Sequence, residues 1–296
     1  FGQKPFKFPP PDGFQPLNNA NVRPETVISR PDQYVGVTTY NGNGTARRIS
    51  GYNFQPDLVW CKLRGTSGDN ILQDSVRGTG VYIRSNSTGK NVSDSNYITN
   101  FNRDGFSVGT ANPVNQDTQG IVAWAWKAGG DKNTFNVDDV GYASASAAGL
   151  DGGSITPTGA SVGTKQGFSI IQYQGNGSTD QTIPHGLTQA PDFSIIKNMD
   201  GTANWTVFHR SVTTTTQKVF YLNTTGAIAD YSGGDSTWWG TLPGASVFTI
   251  GATGTAINNG TNDMISYHWH DVPGLQKFGS FTGNGAQNFV PLDFRP

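Results

Sequence analysis

Cysteine is almost missing from this chain of 296 residues: Cys61 stands alone, so no intramolecular disulfide forms and the fold rests on packing. Charge is scarce as well. Asp, Glu, Lys and Arg make up 14% of the residues against about 25% in an ordinary domain, with 20 basic and 21 acidic side chains and a formal net charge of −1. That balance leaves no cationic field for a nucleic acid or an anionic lipid surface, and neither is expected as a partner. No apolar run approaches the roughly 18 residues that a membrane helix needs, so insertion by a helix is not expected. Helix signals are nearly absent too. The chain opens on Phe1 with no charged and apolar leader, so we expect it to be an excerpt of a longer polypeptide.

What abounds is the vocabulary of short strands and turns. Gly (39) and Pro (16) punctuate, while Thr, Asn, Ser and the aromatics (11%) suit a pleated surface. The length alone suggests about two domains. A repeat makes the same point residue by residue. Thr39-Tyr40-Asn41-Gly42-Asn43-Gly44 returns as Gln172-Tyr173-Gln174-Gly175-Asn176-Gly177 and again as Ser280-Phe281-Thr282-Gly283-Asn284-Gly285. Pro56-Asp57-Leu58-Val59-Trp60-Cys61-Lys62 returns as Pro191-Asp192-Phe193-Ser194-Ile195-Ile196-Lys197, and Asp74-Ser75-Val76 answers Arg210-Ser211-Val212. Phe106-Ser107-Val108-Gly109 answers Phe248-Thr249-Ile250-Gly251, and Ile121 to Lys127 matches Met264 to His270, closing two units of about a hundred residues each.

Each matched block is a short apolar or alternating run bounded by Gly, Asn, Pro or Asp, the signature of a strand. Val122, Trp124 and Trp126 leave one face of theirs while Ala123 and Ala125 leave the other. Without crossover helices a parallel sheet is excluded, and the expectation is an all-β chain of two tandem antiparallel sandwiches, jelly-roll or lectin-like. The expected layout is a Pro-rich extended arm (1–33), a first sandwich (34–130), a Gly- and Ser-rich linker (131–166), a second sandwich (167–276), and the start of a third repeat or a terminal strand (277–296). The indoles Trp60, Trp124, Trp126 and Trp269 are expected in the core because they recur.

The strings Tyr40 to Gly44, Phe54 to Lys62, Asp74 to Gly78, Asp104 to Gly109 and Ala123 to Gly130 resemble an uncharacterised repeat domain of marine bacteriophage virion and tail-fibre proteins. The leading segment, with Phe1-Gly2-Gln3-Lys4-Pro5-Phe6 and Pro10-Pro11-Asp12-Gly13-Phe14, resembles the trailing end of a SPRY-type lectin-like domain. The resemblance implies a virion location and not a ligand; together with the repeat and the low charge, the expectation is a non-enzymatic segment of a tail fibre or surface appendage that attaches to host-surface glycan. It also implies contact with other virion proteins and a homo-oligomer, a trimer by analogy with fibres. A purely architectural or capsid-decorating module and an extracellular polysaccharide depolymerase are the alternatives.

The side chains that carry chemistry are few. For sugar contact the candidates are Trp238 and Trp239 beside Asp235, in a loop-like stretch peculiar to the second unit, since aromatic faces stack on sugar C–H groups. His268 and His270 share one strand face and are the only metal pair worth naming, though the first unit has Ala125 and Lys127 there. Asp131, Asn136, Asp138 and Asp139 have oxygen donors suited to Ca²⁺ but not the spacing of an EF-hand. Paired carboxylates for glycoside cleavage would have to come from Asp74 and Asp104, or Asp230 and Asp235. Asp57 and Asp192, shared by both units, are expected to shape a turn. Cys61 reads as a buried inert thiol. No catalytic residue and no cofactor is expected.

Overall fold

The structure is a computed structural model that describes residues 27–231, 238–251 and 256–292. The protein is all-β, with 38% of residues in strands and 3% in helix, built from several antiparallel sheets. The first unit has a six-stranded sheet in the order Val35–Asn41, Gly120–Trp126, Leu58–Leu63, Ile71–Asp74, Val81–Arg84, Val92–Ser93. A three-stranded sheet of Arg47–Ser50, Gly105–Val108 and Ile98–Asn102 faces it. In the second unit six strands run in the matching order, Phe168–Gln174, Asp263–Trp269, Phe193–Asn198, Thr206–His209, Lys218–Tyr221, Ala229–Asp230, faced by the pair Gln181–Pro184 and Val247–Ile250.

The layers are held by three cores. Val59, Cys61, Ile121, Ala123 and Ala125 meet Ile49, Ile98, Phe106 and Val108 inside the first sandwich. Ile171, Tyr173, Phe208 and Met264 meet Ile183, Phe248 and Ile250 inside the second. The third core lies between the units, where Leu58, Leu72 and Ile83 pack on Phe168, Ile170, Ile195, Trp205, Tyr267 and Trp269. Four β layers therefore stack. Continuous apolar runs such as Phe168-Ser169-Ile170-Ile171 follow from this, because a sheet covered on both faces has no polar side.

The stretch 131–166 is not a linker. It supplies strands Phe135–Val137, Val140–Tyr142 and Gly159–Gly163, and the last pairs with Phe168–Gln174, extending the second sheet to nine strands. Its pairing to Phe135–Val137 is parallel. These strands are buried by their neighbours rather than by their own bulk: Gly159-Ala160-Ser161-Val162-Gly163 is buried throughout. The last part of the N-terminal arm is docked rather than free, since Val27 and Ile28 donate their N–H groups to the Pro273 carbonyl, Ile28 is buried, and Pro31–Gln33 form a single 3₁₀ turn. Residues 1–26 of the arm lie outside the described residues. No strand forms within residues 277–292.

The repeated Tyr-x-Gly-x-Gly block is an anchored turn. In the first unit the Asn43 and Gly44 N–H groups donate to the Oδ1 and backbone O of Asn115 at 3.1 and 2.9 Å, while Asn115 Nδ2 donates to the Thr45 and Gly109 carbonyls. Asn258 repeats the arrangement with Asn176, Gly177 and Ser178. The Tyr40 and Tyr173 hydroxyls donate to the Val114 and Ile257 carbonyls. Pairing also corrects one alignment. Leu58 faces Asp74 and Phe193 faces His209, so the counterpart of Asp74 is His209 and that of Ser75 is Arg210.

Candidate functional site

The alternation in Gly120–Trp126 puts its small side chains inward. Ala123 and Ala125 lie in the sandwich core beneath Tyr52, Phe54 and Phe106, and a Cβ on Gly36 would come within 2.5 Å of the Tyr52 ring. The inner aromatics come from the facing sheet and its loops, and only Gly and Ala leave room for them. Trp60, Trp124 and Trp126 consequently project from the face that the first sheet turns to the second unit and are half-buried; Trp60 and Trp126 pack against the rim of the core between the units and Trp124 does not, which corrects the expectation that all of them are core. Trp269 alone of the four is buried, in the core between the units.

Cross-strand register fixes the geometry of these indoles. Trp60 stands directly opposite Trp124, their rings 6.2 Å apart at 62°, and Trp126 stands opposite Leu58 two pairs along, on the same face. Together they line a recess of about 270 Å³. Trp126 meets Trp269 edge-on at 6.2 Å, where the recess runs into a groove of about 500 Å³ walled also by Val35, Phe193, Phe278 and Leu292. Phe193 stacks on Phe278 at 5.6 Å and 11°, continuing the aromatic row toward the C-terminal segment. The exposed Val37 and Thr39 and the half-buried Lys62 share this face, the last with its Nζ 3.5 Å from the Gly68 carbonyl. Flat apolar rings bordered by a hydroxyl and an ammonium group can take a ligand that has both C–H faces and hydroxyls.

The other predicted residues are distributed as follows. Trp239 is fully buried in the second sandwich and donates its indole N–H to the Lys218 carbonyl at 3.0 Å, so it is not a contact residue. Trp238 is half-buried and forms a corner with Tyr221 and Tyr231, ring centroids 6.1 and 5.8 Å away. Asp235 lies outside the described residues.

His268 is a core histidine at the position of Ala125. Its ring lies 4.4 Å from that of Phe248, and its nitrogens meet the Ser194 and Ser266 hydroxyls at 2.8 and 2.9 Å. Burial, with His185 nearby, holds its pKa well below the ordinary value. His270 Nδ1 meets Gln189 Nε2 and the Asp271 carbonyl. Among the described residues no three His, Cys, Asp or Glu side chains converge to hold a metal ion. Asp139 pairs with Lys127, and Asp138 accepts from the backbone N–H and hydroxyl of Thr164, so those oxygens serve the connecting strands.

Asp74 and Asp104 do not come together, and the partner named for Asp230, Asp235, lies outside the described residues. Asp74 is buried against Arg77 at 2.6 Å, Asp104 pairs with Arg48 on the surface, and Asp230 is exposed on an edge strand. Asp57 and Asp192 do hold turns. Asp57 accepts from the Ala128 and Gly130 N–H groups and the Ser75 hydroxyl, and Asp192 from the Asp271 N–H and Arg210 Nε. Burial still raises Asp57 to about 6 despite its three donors. The Cys61 thiol, also buried, is pushed up to about 12.

Fold and surface define an all-β protein of two stacked sandwiches with a row of half-buried indoles at the rim of the core between them. The chain belongs to a family described as a domain of unknown function, DUF7483, whose model matches residues 30–296 in one stretch spanning both units and the third Gly-x-Gly motif. No curated protein and no solved structure matches it.

Proposed function

We propose that the protein is a non-catalytic segment of a bacteriophage tail fibre or similar virion appendage that attaches to host-surface glycan through Trp60, Trp124 and Trp126. The observation that carries the reading is the set of three half-buried indoles on one face of a rigid sheet, opening into the aromatic groove beside Trp269. Placement on strands rather than loops keeps such rings at fixed spacing, which favours a repeating ligand such as a polysaccharide. A glycan array and a host-cell pull-down with the full chain test it. Binding that falls about tenfold for Trp124→Ala, the scale of one lost stacking contact of roughly 1.5 kcal/mol, supports the reading. Blank results in both assays, or unchanged binding by Trp124→Ala, overturn it. Release of new reducing ends from host polysaccharide would replace it with the depolymerase reading.

A second reading, an architectural module that assembles with copies of itself, is favoured by one feature. Among the described residues strand Val35–Asn41 ends its sheet with no partner on its outer side, whereas the matching strand Phe168–Gln174 is covered by Gly159–Gly163. A homo-oligomer, trimeric by analogy with fibres, accommodates both readings.

A further inference from the structure

Five Asn-Gly pairs occur in the chain: 41–42, 43–44, 176–177, 259–260 and 284–285. Such pairs are the fastest in any sequence to cyclise, because glycine presents no side chain to hinder its amide nitrogen. Three of them sit at the same place in the repeated turn. Gly44, Gly177 and Gly285 share a left-handed backbone, with φ of +68°, +70° and +74°. Asn43, Asn176 and Asn284 each accept, through Oδ1, the N–H of the residue two further on, at 3.0, 2.9 and 2.9 Å.

They differ in what holds the attacking nitrogen. The Gly44 N–H donates to the Asn115 carbonyl at 2.9 Å and the Gly177 N–H to the Asn258 carbonyl at 3.1 Å. The preceding Asn43 and Asn176 N–H groups are held by the same two asparagines. Gly42 is bonded likewise, to the Gln119 carbonyl at 2.8 Å. Asn259-Gly260 is clamped otherwise: Thr261 N–H donates to the Gly175 carbonyl and Asn262 N–H to that of Asn259, and a Cβ on Gly260 would lie 3.6 Å from the Asn176 backbone. Among the described residues no asparagine stands to the third turn as Asn115 stands to the first. Among the described residues the Gly285 N–H has no acceptor, and nothing lies within 4 Å of where its Cβ would be. Its neighbours Phe281 and Val290, which match the anchoring Tyr40 and the core residue Ile49, are 68% and 45% exposed.

We propose that Asn284 is a site of spontaneous deamidation, and that the fold protects Asn41, Asn43 and Asn176 by holding the glycine nitrogen that would attack. Solvent base removes the Gly285 amide proton, and the nitrogen attacks Asn284 Cγ. The new N–C bond closes a succinimide as the side-chain nitrogen leaves as ammonia. Water then opens the ring at either carbonyl, giving aspartate or isoaspartate, so one amide and one water become one carboxylate and one ammonia. The product adds a negative charge at the third turn, and the isoaspartate form also lengthens the backbone by one carbon and removes the bond to the Ala286 N–H.

The test is to hold the full chain in mildly alkaline buffer, digest it, and follow each Asn-Gly peptide by mass spectrometry. In the folded chain Asn284 converts about ten- to a hundredfold faster than Asn43 and Asn176, the scale of penalty for holding a reacting pair out of line. In urea the sites converge to within a few-fold, since local sequence is then all that distinguishes them. Asn258→Ala raises the rate at Asn176 and leaves Asn284 unchanged; should that variant not fold, the comparison with the urea rates stands alone. Equal rates at the three turns in the folded chain, or a spread among the sites that persists in urea, overturns the proposal.

Discussion

Three of the four histidines of the second unit, His185, His268 and His270, are buried as neutral rings, and this sets the acid side of the stability curve. His185 is held down to about 4 from its ordinary 6.5 by burial, against the Gly244 carbonyl that meets its Nε2. In the unfolded chain the same ring takes its proton near 6.5, so between those values the unfolded state binds more protons and stability falls as pH falls. The loss from His185 alone is about 3 kcal/mol, and His268 and His270, lowered by burial, add in the same direction. Asp57 works the other way. Raised to about 6, it is protonated in the folded chain before the unfolded one, so acidification relieves a cost of about 3 kcal/mol. Three rings against this one deeply buried acid leave a net loss. The urea midpoint is therefore expected to fall steadily from pH 6.5 to about 4, and a flat or rising midpoint would mean that these rings are not buried neutral. A second residue-level expectation concerns Asn115, whose truncation to Ala orphans the Asn43 N–H and the Thr45 and Gly109 carbonyls at once. It should cost about 3 kcal/mol in chemical denaturation, several times the cost of Asn100→Ala on the exposed face.

At the scale of strands, the apolar alternation in the sequence was enough to place most elements, because a strand buried by its own side chains advertises itself. Gly120–Trp126 and Leu58–Leu63 are of that kind. Gly159–Gly163 is not: a run of Gly, Ala, Ser and Val is buried only because Phe168–Gln174 and Phe135–Val137 flank it, and a flank is a tertiary fact. The indole row was half legible for a related reason. Period two tells that Trp124 and Trp126 share a face, but which face looks inward depends on the size of what lies opposite, here Tyr52, Phe54 and Phe106. The exposed strand edge gives a third prediction. Val35–Asn41 contains neither a charge nor a proline to deter pairing, and Val37 is 59% exposed. If copies associate along this edge, Val37→Lys should shift the full chain from oligomer to monomer in light scattering while leaving its unfolding midpoint within about 0.5 kcal/mol of the parent. Association that survives the substitution would place the contact elsewhere.

The whole molecule is tied together by the core between its units, and at the centre of that core sits a charge. Arg77 Nε donates to Asp74 Oδ2 at 2.6 Å, with both side chains essentially inaccessible, and the Tyr267 hydroxyl of the second unit donates to the same oxygen at 2.8 Å. Nearby, Trp205 Nε1 donates to the Arg84 carbonyl at 2.9 Å, and Lys197 Nζ to the Thr88 carbonyl at 3.1 Å. Each of these groups has one partner in the other unit. Pulling the units apart would take the Tyr267 donor from Asp74, uncover Leu58, Leu72, Trp205 and Trp269, and leave Lys197 with the Ala203 carbonyl but without that of Thr88, so a state with one unit folded and the other unfolded is disfavoured on every count. Heat or urea should accordingly unfold residues 34–276 in one transition, although the sequence repeats a module that, in a chain of beads, would melt in two. Calorimetry and tryptophan fluorescence report different parts of the molecule, and their midpoints should coincide. Arg77→Met leaves Asp74 buried without its cation and should lower the stability by about 3–5 kcal/mol. Tyr267→Phe removes a single donor and should cost about 1–3 kcal/mol. With either change the loss should appear as a shift of the one transition. Two resolved transitions in the parent protein would refute the coupling, since they would show each sandwich holding its shape without the face that the other supplies.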